Sequence, residues 1–499
     1  MLDAARRMLA GERLYADLID LNPPFVFWLS QPAVLIARLG FDPADVLRVM
    51  VLLILGGMLA LAWPLTREAP AVRAGFVLFA FAIPLGHFAE REHLIFGLMV
   101  GYVVLASERH REEGAKRPTR RDPMASSAAP PPPRSDIMAG IAAGIAMAIK
   151  PPAALVPIVL TVYACIRERS ARPILRAENL AAFATLAVAF ASILVFAPAY
   201  LDAVSAYGAL YAEFSRGTLR QLLLRDIYPL SVWLALIVAA VTVRSVANRQ
   251  RVTVLALAAA GFLAAAAVQG KGFGYHYFPA MGFAVITMLE LLLAPVMAER
   301  HTTGVARRVI AATGLLIVLL LPFLVAAERF MGKVGSDVVE RSQLSGALRD
   351  LPPGSRVAIF SVRLADAYPI LLERKWEHVL SMPHLWFTGL GGRDSGLGTR
   401  GSGLETRGSG LEARDSGASA ALWRRVGENL RDGRPRAIVV RAPAPGERTR
   451  GDLAVNYLDF VCADPVARAA LSGYGLSAHA GGYDIYRPQS SGAGACASS

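Results

Sequence analysis

The polar residues of this 499-residue chain that are able to do chemistry lie at the ends of long apolar segments. They form four groups: Asp17 and Asp20 before Pro23-Pro24; His87, Glu90, Arg91, Glu92 and His93; Lys150 before Pro151-Pro152; and Lys271, Tyr275 and His276 within QGKGFGYHYFP. Ionisable groups at membrane depth are costly and by default mark a site or a pathway. A single lysine at a helix end often only reaches the membrane surface, and a single tyrosine often belongs to the aromatic belt. Because carboxylates, cations and imidazoles occur together here, we expect a site.

Such a set suits the transfer of a group from a lipid-linked phosphate donor. A carboxylate must take a proton from the attacking hydroxyl, and the catalytic candidates are Asp20 and Glu92, with Asp17 as a solvated neighbour. Fixed cations and donors must stabilise the departing phosphate, where negative charge develops. The predicted phosphate-binding residues are Arg91, His93, Lys150, Lys271, Tyr275 and His276. A lipid-headgroup site without chemistry would use the same cations, but it would not need the carboxylates.

The composition indicates that membrane helices position these residues. Hydrophobic residues make up 54% of the chain and the mean hydropathy is +0.43, while the charged share of 18% is below the roughly 25% of soluble proteins. The apolar residues are concentrated in long blocks, as in polytopic membrane proteins. The net charge of +13 resides in short loops without a nucleic-acid-binding module, which argues against a nucleic-acid partner. No Cys/His spacing resembles a zinc site, and no cofactor is predicted.

Apolar segments predict about ten spans. They lie near 46–65, 73–88, 93–106, 137–149, 152–166, 178–198, 227–245, 252–268, 279–297 and 308–327. The pair 137–149 and 152–166 is short for a membrane of about 30 Å and is separated by Lys150-Pro151-Pro152. This pair predicts a broken helical hairpin, which a membrane protein tolerates where protein or a watery cavity covers the backbone.

Basic loops predict the orientation, because positively charged short loops stay in the cytoplasm. The loop 107–135 carries Arg109, Arg111, Lys116, Arg117, Arg120, Arg121 and Arg134 and a Pro130–Pro133 run. The loops 167–176, 244–251 and 299–308 are basic as well. Counting spans from these loops places on the outer side the regions 1–45, 87–92, 199–226, 269–278 and the tail after about residue 328.

The tail differs from the rest of the chain. RVAIFSV (356–362), RAIVVRA (436–442) and GYDIYRP (482–488) are β-like runs between helical or polar stretches. We therefore expect a mainly α fold: a transmembrane bundle over 1–330 and a small extracytoplasmic α/β domain over 331–499. The seven-residue repeat within 391–419 is too rich in glycine for a coiled coil, and a flexible insertion is expected there.

The three cysteines exclude a disulfide framework. Cys165 is expected to be a small buried hydrophobe. Cys462 and Cys496 are able to pair if the tail is extracytoplasmic, and the sequence leaves that pairing open.

Four segments together resemble the GT-C class of polytopic glycosyltransferases, which includes protein O-mannosyltransferases and lipid A aminoarabinose transferases. They are RMLAGERLYADLIDLNPPFVFWLSQP (7–32), REHLIFG (91–97), AIKPPAAL (148–155) and QGKGFGYHYFPA (269–280). The stretch from Asp20 to Pro24 is similar to the acidic–x–His–Pro–Pro motif of the mannosyltransferase branch, with Asn22 at the histidine position. The resemblance is strongest to an uncharacterised bacterial branch and covers roughly residues 1–330.

The resemblance implies inverting transfer of a sugar from a polyprenyl-phosphate donor to a lipid, glycan or protein acceptor. It also implies the outer face of a bacterial inner membrane, with a periplasmic C-terminal domain. Two other classes compete. A transporter or flippase for a lipid-linked sugar would also need charged residues in a membrane cavity, although its usual paired broken helices are not evident. A catalytically silent scaffold with an envelope-binding tail is the third class.

The chain departs from this family at its N-terminus, where members usually have a membrane helix before the first outer loop. Asp3 is the only acid before Gly11, and we expect it to cap the helix AARRMLA, which Gly11 ends. Arg6, Arg7 and Arg13 oppose unaided translocation of so short a segment. The expectation is that the natural protein starts upstream with one more helix, which reading the coding frame before Met1 would test.

The topology makes a direct prediction for two positions. An impermeant maleimide added to intact cells should label Arg400→Cys in the tail and should not label Ser126→Cys in the loop 107–135, because only the tail is outside. The unsubstituted chain provides the background. Labelling of Ser126→Cys would reverse the orientation.

Overall fold

A computed structural model describes residues 1–67, 69–83, 87–115, 133–213, 216–246, 248–293, 301–385, 412–442, 457–489 and 494–497. The chain is mainly helical, with a small sheet near its C-terminus. The middle of the basic loop, including most of the Pro130–Pro133 run, and residues 391–411 of the repeat lie outside the described residues.

Helices make up the N-terminal two thirds of the chain. In chain order they are α1 (Leu2–Leu9), α2 (Phe25–Ala37), α3 (Pro43–Leu65), α4 (Pro70–Val77), α5 (Arg91–Ala115), α6 (Pro133–Ile149), α7 (Leu155–Glu168), α8 (Ala177–Phe196), α9 (Ala199–Glu213), α10 (Leu219–Leu224), α11 (Ile227–Thr242), α12 (Arg249–Val268), α13 (Phe278–Leu293) and α14 (His301–Ala347). A π-helical turn extends α4, and 3-10 turns precede α7 and α13.

Within the described residues, five helices are long and apolar enough to cross a membrane. They are Pro43–Leu65, Pro151–Glu168, Ala177–Phe196, Arg249–Val268 and Gly274–Leu293. Shorter apolar helices cover Phe25–Ala37, Pro70–Ala82, Ser135–Ile149, Ile227–Thr242 and Arg308–Leu320. Each predicted apolar segment overlaps a helix, but an apolar stretch of 10–17 residues rises only about 15–26 Å, less than a bilayer core of about 30 Å. Five candidate spans are therefore supported within the described residues, and the expected total of about ten is not shown.

Helix α2 lies inside the region 1–45 that we expected to be a loop. Pro24 precedes its first residue, and the run Phe25–Ala37 is almost wholly apolar. Proline favours the start of a helix because its φ is already near the helical value and it has no N–H to leave unsatisfied. The Pro-Pro pair that follows Asp20 thus starts a helix and fixes where the acidic stretch ends.

The helix α13 lies at the centre of the bundle, and most of its side chains are buried. It packs against α4, α5, α11, α12 and α14. A second close contact joins α6 to α8 through Gly140 and Gly144, where an added Cβ would lie 2.3 Å from the Glu178 carbonyl oxygen and 2.5 Å from Thr185. Small residues four apart allow two helix backbones to approach closely, as in many membrane helix pairs.

Long helices at the periphery expose apolar surface. In α3 and in α8, only 17% of the most apolar 18-residue stretch is buried inside the protein. Exposed large side chains on α8 include Phe183, Val188, Phe190 and Val195. Contiguous apolar surface of this kind is unfavourable in water and marks contact with lipid or with another protein. The long apolar helices and their exposed faces are consistent with a membrane protein.

The C-terminal part is an α/β domain. Its elements are β1 (Arg356–Phe360), α15 (Leu364–Glu373), β2 (Glu377–His378), α16 (Glu412–Gly433), β3 (Ala437–Arg441), α17 (Tyr457–Val461), α18 (Pro465–Leu471), β4 (Tyr474–Ala480) and β5 (Tyr483–Pro488). The sheet order is β2-β1-β3-β5-β4; β2 and β3 run parallel to β1, whereas β5 pairs antiparallel with β3 and β4. The three predicted β-runs are confirmed as β1, β3 and β5.

Helix α14 crosses the expected domain boundary at residue 330. It continues unbroken to Ala347, where Leu344 joins the hydrophobic core of the α/β domain. After Pro322 no proline occurs before Pro352, so nothing in the backbone forces the helix to end. The bundle and the α/β domain are therefore joined by a helix and not by a loop.

Two smaller expectations are wrong in part. Residues 412–419 belong to α16 and not to the flexible insertion, because the helix that carries Trp423 extends back to Glu412. Cys165 is half-buried on α7 and not fully buried, since its helix faces outward on that side.

Cys462 and Cys496 form a disulfide that ties the C-terminal segment to the end of α17. Structural disulfides persist in oxidising compartments, which is consistent with an extracytoplasmic domain. Under denaturing but non-reducing conditions, a maleimide should therefore label one cysteine, Cys165, and after reduction it should label three. Mass spectrometry counts the adducts.

The same bond closes a loop with a sequence separation of 34, for which chain entropy corresponds to about 3–4 kcal/mol. The Cys462→Ser/Cys496→Ser chain should accordingly unfold at a lower temperature than the Cys165→Ser control. Three labelled cysteines before reduction would contradict the pairing.

Candidate functional site

The two ends of the helix bundle differ in the ion pairs that they contain. At one end Arg251 lies between Glu108 (2.6 Å) and Glu290 (2.9 Å), and Arg109 pairs with Asp136 and with Glu178. We predicted Arg109 and Arg251 as loop cations, but they belong to helices and sit in ion pairs, and Arg251 is only 4% exposed. A cation that cannot reach water needs carboxylate partners, and neighbouring helix ends provide them.

The opposite end of the bundle carries the predicted site. The starts of α5 and α13 meet there with the end of α6, because Glu92 on α5 pairs with Lys150 directly after α6. The hairpin break occurs at Lys150 as predicted: its backbone is extended, and a 3-10 turn at Pro151–Ala154 precedes α7.

The residues between α1 and α2 fold into tight turns that point Asp20 inward. Gly11 ends α1 as predicted, with φ of +103°. Asp17 accepts hydrogen bonds from the Arg13 backbone N–H (2.9 Å) and guanidinium, and it remains partly exposed as expected. Tyr15 has φ of +71°, a conformation unusual for a bulky residue that is held here by a 2.5 Å hydrogen bond from its hydroxyl to the Asn22 carbonyl.

Asp3 does not cap α1. It lies in the first turn of the helix, where its carboxylate pairs with Arg6 at 2.6 Å. The helix begins two residues earlier than the sequence suggests, at Leu2 instead of Ala4, so Asp3 is inside it and only 2% exposed. Its side chain lines the cavity described below.

Hydrogen bonds to backbone carbonyls hold this N-terminal segment against the α/β domain. Arg6 donates to the Trp376 carbonyl (3.1 Å) and Arg7 to the Leu380 carbonyl (2.8 Å). The Ile19 N–H donates to the Ser381 carbonyl (2.8 Å), and Arg425 reaches back to the Ala16 carbonyl (2.9 Å). The segment 1–24 is therefore enclosed between the bundle on one side and the α/β domain on the other.

A cavity of about 610 Å³ lies at this three-way junction. Its lining comes from the N-terminal segment, the start of α5, the ends of α9 and of the loop before α13, and the α/β domain. Four of the predicted site residues line it: Asp20, Arg91, Glu92 and Tyr275. The volume falls within the range of about 300–1,000 Å³ typical of ligand sites.

Asn22 connects Asp20 and Arg91 by hydrogen bonds to both. One carboxylate oxygen of Asp20, Oδ1, accepts hydrogen bonds from the Asn22 backbone N–H (2.8 Å) and side-chain amide (2.7 Å). The Asn22 side-chain oxygen in turn accepts a hydrogen bond from Arg91. The other oxygen, Oδ2, has no hydrogen-bond partner among the described residues, so it is free to accept a proton. Burial raises the pKa of Asp20 above its usual range.

Glu92 and Lys150 form a buried ion pair beside this carboxylate. The Lys150 ammonium donates to Glu92 Oε1, and only 3% of the Glu92 side chain is exposed. Lys150 also lies 5.5 Å from the centre of the Tyr275 ring. Glu92 is thus a fixed partner of Lys150, which makes it less suited than Asp20 to act as a base.

Lys271 and His276 are not part of the cavity lining, but each contacts a residue that is. The Lys271 ammonium donates to the carbonyls of Tyr211 and Ala212 (3.2 Å for the latter), and the His276 ring stacks edge-on against Tyr275 at 4.5 Å. Of the four predicted cationic residues, Arg91 lines the cavity, whereas Lys150, Lys271 and His276 contact Tyr211 or Tyr275 of its lining. Within the described structure, Nδ1 of His276 is buried without a hydrogen-bond partner.

His93 is not brought to the site. It is fully buried, Nε2 donates to the Ala80 carbonyl (2.7 Å), and Nδ1 accepts from the Ala89 N–H (3.2 Å). Both nitrogens are used by the backbone, and the ring packs edge-on against Phe278. Its place two residues after Arg91 puts it on another face of α5, so it stabilises the turn before α5 and does not bind phosphate.

The structure adds site residues that the sequence did not indicate. Asn22 joins Asp20 to Arg91, Tyr211 comes from α9, and Tyr368 and His384 come from the α/β domain. Asn22 occupies the histidine position of the stretch that resembles the acidic–x–His–Pro–Pro motif, so the sequence did contain a signal for it as a site residue. Tyr368 and His384 belong to a separate domain about 350 residues away in sequence, and no local pattern marks them.

No protein-family model matches this chain, and no curated protein matches it either. What the site does therefore has to follow from its own geometry and chemistry.

The ion pair between Glu92 and Lys150 makes a quantitative prediction. Glu92→Gln leaves a buried ammonium unpaired and should lower the free energy of unfolding by about 3–5 kcal/mol. Lys150→Met should cost a similar amount, and the double variant should cost less than the sum. Thermal unfolding of the purified full chain in detergent measures the difference.

The matched control is Asp45→Asn, which breaks an ion pair with Arg48 whose side chains are 68% and 60% exposed. It should cost less than about 1 kcal/mol. Equal effects at both pairs would contradict a structural role for the buried one.

Proposed function

We propose that this protein is a polyprenyl-phosphate-dependent, inverting glycosyltransferase of the GT-C class. The observation that carries the proposal is a buried carboxylate, Asp20, in the same cavity as Arg91 and beside the Lys150 ion pair. This cavity opens where long apolar helices meet an α/β domain, so a donor held in lipid and an acceptor held outside the lipid are both able to reach it. The outer face of a bacterial inner membrane is the proposed location.

Asp20 is the proposed base. Its free oxygen accepts the proton of the acceptor hydroxyl, while Asn22 holds the other oxygen and so fixes the orientation of the carboxylate. A raised pKa brings a carboxylate closer to the operating pH, which favours proton acceptance.

The proposed phosphate site uses Arg91 as the direct contact, with Lys150, Lys271 and His276 adding positive charge or donors from behind the wall. In the transfer step the acceptor oxygen forms a bond to the anomeric carbon while the bond from that carbon to the phosphate oxygen breaks. The proton moves to Asp20, and polyprenyl phosphate leaves with the electron pair. Fixed cations stabilise the charge that develops on the phosphate.

The donor test uses the native bacterium with the gene deleted and then restored. Mass spectrometry of envelope glycans and lipids should show the loss of a modification of one sugar mass, together with accumulation of a polyprenyl-phosphate sugar. The wild-type gene and Asp45→Asn should both restore the modification, because Asp45 only pairs with Arg48 at an exposed position outside both cavity linings. Asp20→Asn should not, since loss of a general base typically costs about 10²–10⁴-fold in rate.

Restoration by Asp20→Asn would instead favour a flippase or a scaffold, neither of which needs the base. A flippase additionally predicts that the donor accumulates only on the cytoplasmic leaflet. In the transferase, accumulation on the outer leaflet is expected, because transport to that leaflet is a separate step.

The raised pKa of Asp20 predicts the acid limb of the pH profile. The active form is the deprotonated carboxylate, so kcat/KM for transfer by isolated membranes should fall as the pH drops through a pKa higher than the usual 3.8. Asn22→Ala keeps the backbone hydrogen bond to Asp20 but removes the side-chain amide bond, which favours the charged form, and it should move this limb to still higher pH. A limb at or below pH 3.8 would contradict Asp20 as the base.

A further inference from the structure

A second cavity of about 560 Å³ lies between the N-terminal segment and the α/β domain. Arg7 lines both cavities, so α1 forms the wall between them. The mechanism proposed above uses no residue of the second cavity.

The floor of this cavity holds polar groups that the fold leaves unsatisfied. His378 Nε2 accepts a hydrogen bond from the Ile359 N–H (3.2 Å), which places the ring proton on Nδ1, and this buried Nδ1 has no partner within the described residues. Burial lowers the pKa of His378 to about 4, so the ring is neutral near pH 7. The Ser381 hydroxyl and the Arg425 Nε–H are buried and unpartnered as well in the described structure.

Unsatisfied buried polar atoms are rare and costly, so a ligand with hydroxyl groups would be stabilised here. His378 and Arg425 offer donors, and the serine hydroxyl is able to donate or accept. His378 and Ser381 both belong to the cavity lining and are only 4% and 2% exposed.

The charges on the cavity wall cancel. The arginines are Arg6, Arg7, Arg356 and Arg425. The carboxylates are Glu12, Asp17, Glu377 and Asp432. Equal numbers of positive and negative groups favour a neutral ligand over a phosphate or another anion, and alternating donors and acceptors match the hydroxyls of a sugar.

We propose that this second cavity is a binding subsite for a neutral saccharide. The identification of that saccharide as the acceptor glycan rests on the proposed transferase function, whereas the binding itself does not. Its position across α1 from Asp20 places a bound glycan beside the reaction cavity.

The test is binding of the purified full chain in detergent to an array of neutral glucans, mannans, galactans and chitooligosaccharides, with sulfated and uronic-acid oligosaccharides for comparison. We expect a neutral oligosaccharide to bind. Ser381→Ala should weaken it about threefold to tenfold, the effect of one hydrogen bond, without lowering thermal stability, because the hydroxyl has no partner in the fold. Ala10→Phe, which fills the cavity from an exposed position, should weaken binding by more than about tenfold.

The matched control is Ala469→Phe, at an exposed alanine of α18 remote from the cavity lining, and it should leave binding unchanged. Saccharide binding by the wild-type chain, together with no sugar transfer by that same wild-type chain, would support the subsite and refute the transferase separately. Asp20→Asn should retain the binding, because Asp20 does not line the second cavity. Absence of binding to every neutral oligosaccharide, preference for the anionic ones, or equal effects of Ala10→Phe and Ala469→Phe would each overturn the inference.

Discussion

The buried ion pair between Glu92 and Lys150 is the interaction on which the site depends. It joins the first turn of α5 to the break after α6, at an end of the bundle where neither charge is well exposed. A lone ammonium or carboxylate would be strongly unfavourable there, whereas the pair holds the two helix ends at one fixed separation. Arg91 precedes Glu92 directly, so the pair also fixes the helical turn that carries Arg91, whose guanidinium then donates to Asn22. The Lys150 ammonium lies 5.5 Å from the ring centre of Tyr275, in the 3-10 turn before α13.

A second constraint is the enclosure of the N-terminal segment between the bundle and the α/β domain. After α1 the segment has little regular structure of its own. The Arg6 and Arg7 side chains donate to the carbonyls of Trp376 and Leu380, and the Ile19 backbone N–H donates to the Ser381 carbonyl. Asp20 therefore reaches its place only when the α/β domain is docked, because that domain holds the segment on which Asp20 lies. The continuous helix α14 makes this docking less costly in entropy than a flexible linker would, since it limits the positions open to the domain.

The opposite end of the bundle shows how the same physical rule gives a different outcome. Arg251 and Arg109 carry positive charge at helix ends, as Arg91 and Lys150 do, but the described carboxylates Glu108, Glu290, Asp136 and Glu178 lie around them. Charged residues at membrane depth thus have two roles here, and only their partners distinguish a structural ion pair from a candidate site.

The sequence by itself determined the long apolar segments, the break at Lys150, the strands β1, β3 and β5, and the segments that carry the candidate site. These follow from local properties: apolar run length, proline geometry and alternation along a strand. It did not determine the length of the spans, the role of Asp3, the burial of His93 or the contribution of His384. Those depend on which side chains meet across hundreds of residues, and the same local pattern around His93 suits a ligand or a packed core residue equally well. Only the tertiary structure decided them, because burial and hydrogen-bond partners exist only once the helices and the α/β domain have packed together.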